Sequence, residues 1–113
     1  MKHPAEISAQ PVVRDRWGGW THPDFFLPAD GYEYPQAGEF DAWLRERHLQ
    51  SATTWMENDV SDWMMADYWK TGNCSRWQPS GPVGNGWFTG SIHDTDEGPV
   101  CVWLRMKPEE PDA

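Results

Sequence analysis

The spacing of apolar residues along the chain changes from a helical to an alternating period. After Gly38, the side chains of Phe40, Trp43 and Leu44 fall on one face at about 100° per residue. This spacing predicts a helix over residues 39–50, with acidic and basic residues on its opposite face.

Two further elements are predicted after this helix. β-Branched residues within 51–57 predict a short strand. A second helix is predicted over 59–71, with Asp59 as its N-cap and Gly72 in the left-handed position that ends it. Its apolar residues span so wide an arc that we expect it to be covered on two sides, within the monomer or by another chain: Val60, Trp63, Met64, Met65, Tyr68 and Trp69.

Residues 86–106 predict a β-hairpin. Apolar residues alternate on both sides of an acidic tip, Asp94–Gly98. Gly98 can adopt a positive φ, and Pro99 opens the second strand, where its missing N–H costs least. The predicted order is helix, strand, helix, strand, strand. The fold class is therefore α+β: two helices with a small antiparallel sheet made of one strand and a C-terminal hairpin.

The remaining segments complete a single predicted domain over residues 11–107. Proline and glycine interrupt residues 11–37, where aromatic side chains are frequent. We therefore expect an irregular, aromatic-rich N-terminal segment packed across the core. The polar, proline-containing ends, 1–10 and 108–113, are predicted to be frayed.

The composition changes the expected core. Val, Ile, Leu and Phe are scarce, while the chain contains nine Trp, five Met and three Tyr. Because each buried aromatic removes about 150–250 Å² from water, a few of them can replace many aliphatic residues. We therefore expect a mainly aromatic core, with one or two tryptophans exposed.

The charge narrows the choice of partner. A net charge of −9 repels nucleic acid and favours a protein with a basic surface. There is neither an apolar signal-peptide run nor a stretch long enough to span a membrane, so we expect a cytoplasmic protein. Cys74 and Cys101 are then expected to be reduced thiols.

The acidic tip fits no metal loop. An EF-hand that starts at Asp94 would need Gly at its sixth position and a carboxylate at its twelfth, but Pro99 and Arg105 stand there. Zinc ligands in paired spacing are also missing from the sequence. We expect no metal and no cofactor.

Catalytic motifs are weak as well. Ser91, His93 and Asp94 are the residue types of a triad, but alternation puts the first two on one strand face and Asp94 at the turn. Cys74 lacks a nucleophile signature, and no phosphate-binding loop is present. The sequence therefore predicts a protein that is not an enzyme.

Two motifs nevertheless resemble known sequences. They are CSRWQPSGPVGNGWF at Cys74–Phe88 and SIHDTDEGPVCVW at residues 91–103. With these motifs, residues 17–106 resemble small proteins encoded by phages and prophages of Gram-negative bacteria. The resemblance implies a phage accessory protein in a bacterial cytoplasm, and it implies no catalytic residue.

Charge and context together predict a non-enzymatic phage accessory protein that binds a host protein, as a counter-defence or host-takeover inhibitor. One version of this hypothesis is an acidic surface that mimics DNA. Carboxylates are the candidate contacts: Glu57, Asp59, Asp62, Asp94, Asp96 and Glu97.

Two alternatives from other classes remain open. The first is a small metal- or thiol-dependent enzyme that uses His93, Asp94, Asp96 or Cys74. The second is a structural or assembly protein that forms a homodimer through its apolar helix face.

Overall fold

A computed structural model describes residues 7–27 and 38–107. The class predicted from sequence, α+β with a small antiparallel sheet, is confirmed. In chain order the elements are β1 (Trp20–Thr21), α1 (Glu39–Glu46), β2 (Leu49–Trp55), α2 (Met56–Asp59), α3 (Asp62–Thr71), β3 (Phe88–Thr95) and β4 (Gly98–Met106).

The sheet has the strand order β1-β3-β4-β2, with every neighbouring pair antiparallel. Strands β3 and β4 form the predicted hairpin, and Gly98 has the predicted positive φ of 105°. In the described part of the chain the sheet has four strands rather than three, because Trp20 and Thr21 of the irregular segment pair with β3. A two-residue strand leaves too short a pattern to recognise in the sequence.

Helix α1 ends four residues earlier than the predicted boundary at residue 50. His48 adopts a left-handed φ of 55°, which turns the chain so that β2 begins at Leu49. Leu49 is buried in the sheet, and β2 pairs with β4 along its whole length. Tertiary pairing therefore overrides the helical period at these residues.

The start of the second predicted helix is also displaced. Asp59 ends the short helix α2, and Ser61 is the N-cap of α3, where its hydroxyl accepts a hydrogen bond from Met64 N (3.4 Å). The other end agrees with the prediction, because Gly72 caps α3 with a φ of 74°. The prediction of Asp59 as the N-cap was wrong.

Both faces of the sheet are covered. Ile92 and Cys101 lie opposite each other on neighbouring strands and pack with residues of α2, α3 and the connection that follows α3: Met56, Tyr68, Cys74 and Trp77. The other face carries Leu104, whose side chain lies beside Phe25 next to Gly90. The Phe25 ring lies 5.7 Å from Trp43 of α1, which attaches that helix to this face.

The fully buried core is mainly aliphatic and sulfur-containing, so the prediction of a mainly aromatic core was wrong. Only Tyr68 and Trp77 are aromatic among its hydrophobic members in the described part of the chain. Three tryptophans are exposed rather than one or two: Trp17, Trp63 and Trp69. A four-stranded sheet is too small to enclose nine indoles, so most of them border the core.

A clamp built on Arg14 joins the N-terminal segment to the connection after α3. Its guanidinium donates hydrogen bonds to the carbonyl oxygens of Gly18 (2.8 Å), Cys74 (2.7 Å) and Trp77. Gly18 has a φ of 97°, and a Cβ atom there would lie 2.6 Å from the backbone of Ser75. The clamp therefore requires glycine at position 18.

The predicted frayed ends fall partly outside the described residues. Residues 1–6 and 108–113 are not described, and neither are 28–37 of the predicted irregular segment. Within the predicted N-terminal end, Ile7 is buried. Among the described residues, none of the helices has the length and apolar character that crossing a bilayer requires.

Substituting Gly18 tests the clamp. Gly18→Ala should lower the free energy of unfolding by about 1–2 kcal/mol for its left-handed backbone and by about 1–3 kcal/mol more for the close contact. Gly72→Ala is the matched control, because Gly72 also has a positive φ but no atom within 4 Å of an added Cβ. Urea unfolding measures both variants, and equal losses would contradict the clamp.

Candidate functional site

The acidic hairpin tip is fastened to helix α3. The Tyr68 hydroxyl donates a hydrogen bond to Asp94 Oδ1 (2.9 Å). Gly98 lies against the same helix, since a Cβ atom there would be 2.9 Å from Met65 Cε and 3.6 Å from the indole of Trp69. The tip is therefore held in a fixed position beside an indole ring.

Two indoles of α3 are exposed on the surface of the protein. Trp63 is 70% exposed and Trp69 is 56% exposed. At 3.6 residues per turn the two side chains are about 120° apart around the helix, and the small side chain of Ala66 lies between them. We call Asp62, Trp63, Trp69, Asp96 and Glu97 the α3–tip surface.

The predicted contact carboxylates are distributed unevenly over the molecule. Asp96 and Glu97 are exposed and directly precede Gly98, which lies against Met65 and Trp69. Asp62 is exposed one helical turn before Met65, on the helix that the tip contacts. Glu57 is exposed on α2, and no described contact links it to the tip.

Asp59 and Asp94 make internal hydrogen bonds. Asp59 Oδ2 accepts from the Trp77 indole (2.8 Å) and from Ser80 N (3.0 Å). Although burial acts to raise the pKa of Asp59, these bonds outweigh it and lower that pKa. Burial, and then the hydrogen bond and charge of Asp94, raise the pKa of Tyr68 to about 12, so its hydroxyl stays protonated as the donor.

A cleft of about 410 Å³ opens beside β3, on the side away from β4. Its lining comes from the N-terminal segment, the clamp and β3: Asp15, Trp17, Gly19, Trp20, Thr21, Cys74, Ile92, His93 and Asp94. The sequence interpretation placed no site in the N-terminal segment. The available signal was an aspartate three residues before the pair Gly18 and Gly19, since aspartate often accepts a hydrogen bond from the backbone N–H two residues on in an Asx-turn.

Asp15 shapes the wall of this cleft. Its Oδ1 accepts hydrogen bonds from the backbone N–H groups of Trp17 (2.9 Å) and Gly19 (3.0 Å). The bonds from Gly19 and Trp17 lower the pKa of Asp15, which keeps it ionised. Asp15 therefore fixes a turn and places a negative charge at the rim.

A short hydrogen-bonded chain runs along the cleft. Thr21 Oγ1 lies 3.1 Å from Ser91 Oγ, which lies 2.9 Å from His93 Nδ1. Ser91 and His93 thus share a strand face, as the alternation predicts. Asp94 does not act as the acid of a triad, because it accepts a hydrogen bond from the Tyr68 hydroxyl and none from the His93 imidazole.

The pKa of the His93 imidazole is lowered by its surroundings. The side chain as a whole is exposed, but its ring lies against protein atoms, and this desolvation lowers its pKa. The neighbouring charge of Asp94 acts in the opposite direction and is the weaker effect.

The two cysteines are buried thiols. Burial raises the pKa of Cys74, with Arg14 opposing the change, and burial raises the pKa of Cys101 to about 12. A thiol with a raised pKa is a poor nucleophile. Among the described residues, no group of three histidine, cysteine or acidic side chains could hold a metal ion.

Comparisons with protein-family models, with curated proteins and with solved structures give no match to this chain.

The titration of His93 tests the environment of the cleft. Its pKa, followed by NMR of the ring protons, should lie below the ordinary value of 6.5. Asp94→Asn should lower it further, while Asp96→Asn should leave it unchanged. Because the unfolded chain binds this proton more readily, His93 should make stability fall as pH drops through about 6.5. A pKa at or above 6.5 would contradict this assignment.

Proposed function

We propose that this protein is a non-enzymatic phage accessory protein that binds a basic surface of a host protein through the α3–tip surface. One observation carries the proposal: the exposed indole of Trp69 lies directly beside the acidic tip. Tryptophan is enriched among the residues that contribute most binding energy at interfaces, and surrounding charges select the partner.

The exposed side of α3 adds support. Its sequence pattern predicts cover on two sides, and the described part of this chain buries only one, around Tyr68. A partner that covers Trp63 and Trp69 would supply the other side. Indoles left in water are unfavourable, so such cover would stabilise both proteins.

The net charge of −9 favours a basic partner over a second copy of this chain. Two copies docked through this surface would bring Asp62, Asp96 and Glu97 of each chain near those of the other. Like charges in a desolvated interface weaken binding. The phage context and the location in the cytoplasm of the host cell are also part of the proposal, and the sequence resemblance alone supports them.

The arrangement of acids favours contact with a protein patch over DNA mimicry. Asp59 and Asp94 each use one carboxylate oxygen in internal hydrogen bonds, and the other candidate acids are spread over α2, α3 and the hairpin tip. Duplex DNA presents one charge per about 1.7 Å of helix axis, a much denser array. A thiol enzyme is disfavoured because Cys74 is buried and its pKa is raised.

Capture from bacterial host lysate tests the proposal. The wild-type protein should retain a basic protein, and Trp63→Ala/Trp69→Ala should weaken that binding at least about tenfold, as expected for hot-spot residues. Asp96→Asn/Glu97→Gln should slow association and flatten its salt dependence. Val83→Ala is the control, because Val83 is 99% exposed and lies outside the surface.

Two outcomes would contradict the proposal. In the first, all variants capture the same proteins with equal affinity. In the second, size-exclusion chromatography shows a stable dimer that the double tryptophan variant abolishes, which would assign the surface to a second copy of the chain.

A further inference from the structure

We propose that the cleft between the N-terminal segment and β3 binds a guanidinium group, the head of an arginine side chain. This site shares no residue with the set that defines the α3–tip surface, although its Asp94 belongs to the hairpin tip. Its indoles are Trp17 and Trp20, and its acids are Asp15 and Asp94.

The cleft has the size and the support of a preformed binding site. Its volume of about 410 Å³ lies within the range of about 300–1,000 Å³ that is typical of ligand sites. Part of the cleft wall is formed by Cys74 and Ile92, and both side chains are 3% exposed. The clamp of Arg14 and the turn fixed by Asp15 hold the N-terminal wall in place.

Both carboxylates are oriented and retain an available oxygen. Asp15 Oδ1 accepts two backbone N–H groups, and Asp94 Oδ1 accepts the Tyr68 hydroxyl. Within the part of the chain that the structure describes, the Oδ2 atom of each accepts no hydrogen bond. A guanidinium has five N–H donors in a planar fork, which suits two acceptors on different sides of a cleft.

The indoles explain why a guanidinium is preferred to an ammonium. A guanidinium is planar and weakly hydrated, and it stacks on aromatic faces. Arg16 already lies 5.0 Å from the ring centre of Trp17, so this indole accepts such a group from the chain itself. Among the described residues, no cation lies over the ring of Trp20.

The other charges near the cleft are compatible with a bound cation. The lowered pKa of His93 favours its neutral form near pH 7. Two arginines oppose the carboxylates: Arg14 Nη2 lies 3.9 Å from Cys74 Sγ and its N–H groups are bonded to three carbonyl oxygens, and Arg16 lies over the ring of Trp17. A bound guanidinium therefore relies on the two accepting carboxylate oxygens and on the ring of Trp20 rather than on an excess of negative charge.

An NMR titration of the full chain tests this site. N-Acetyl-arginine N-methylamide should shift the indole N–H signals of Trp17 and Trp20 saturably and leave those of Trp63 and Trp69 in place. The neutral citrulline counterpart should bind at least about tenfold more weakly, the effect of losing one charged contact. Methylguanidine distinguishes the source of the guanidinium group. Binding weaker than that of the arginine probe indicates a peptide side chain, and binding equal to it indicates a free guanidinium compound.

Two variants with the same change of charge complete the test. Asp94→Asn keeps an acceptor for Tyr68 and should weaken binding of the arginine probe severalfold, while Asp96→Asn, outside the cleft, should not. Equal effects of these variants would reduce the site to a diffuse negative field and overturn the proposal. Equal shifts from arginine and citrulline probes, or no saturable shift of Trp17 and Trp20, would also overturn it.

Discussion

The guanidinium of Arg14 connects the two irregular segments on which both surfaces of this protein depend. Neither segment has a long ladder of its own backbone hydrogen bonds, and Arg14 supplies donors to a carbonyl of the first and two of the second. The clamp encloses Trp77 and Cys74 in the core beside Tyr68 of α3. The clamp thereby holds the residues against which α3 packs, and it holds one wall of the cleft in place.

The three carboxylates of the hairpin tip have different roles. Asp94 accepts the hydroxyl of Tyr68, and this buried donor fixes the tip on α3. Asp96 and Glu97 remain exposed. A turn needs few carboxylates, and mutual repulsion of exposed ones costs about 1 kcal/mol or less. The two exposed acids beside Trp69 therefore suit a contact surface without straining the fold.

Features that depend on local chemistry could be predicted from the sequence, whereas long-range features could not. Gly72 ends α3 and Gly98 opens β4 after the hairpin turn, both with the predicted positive φ, because a positive φ favours glycine wherever it occurs. The end of α1 depends on β4, which lies about 50 residues away and draws Leu49 into the sheet. Asp15 and Asp94 line the same cleft although they are far apart in the sequence, so no local spacing could predict that they lie together.

Hydrogen–deuterium exchange of the protein, alone and bound to its captured partner, tests the central claim that the α3–tip surface is the interface. The account predicts added protection in residues 62–71 and 94–98 and unchanged exchange in the edge strand β2, residues 49–55. Protection of β2 with unchanged exchange in α3 and the tip would contradict the account.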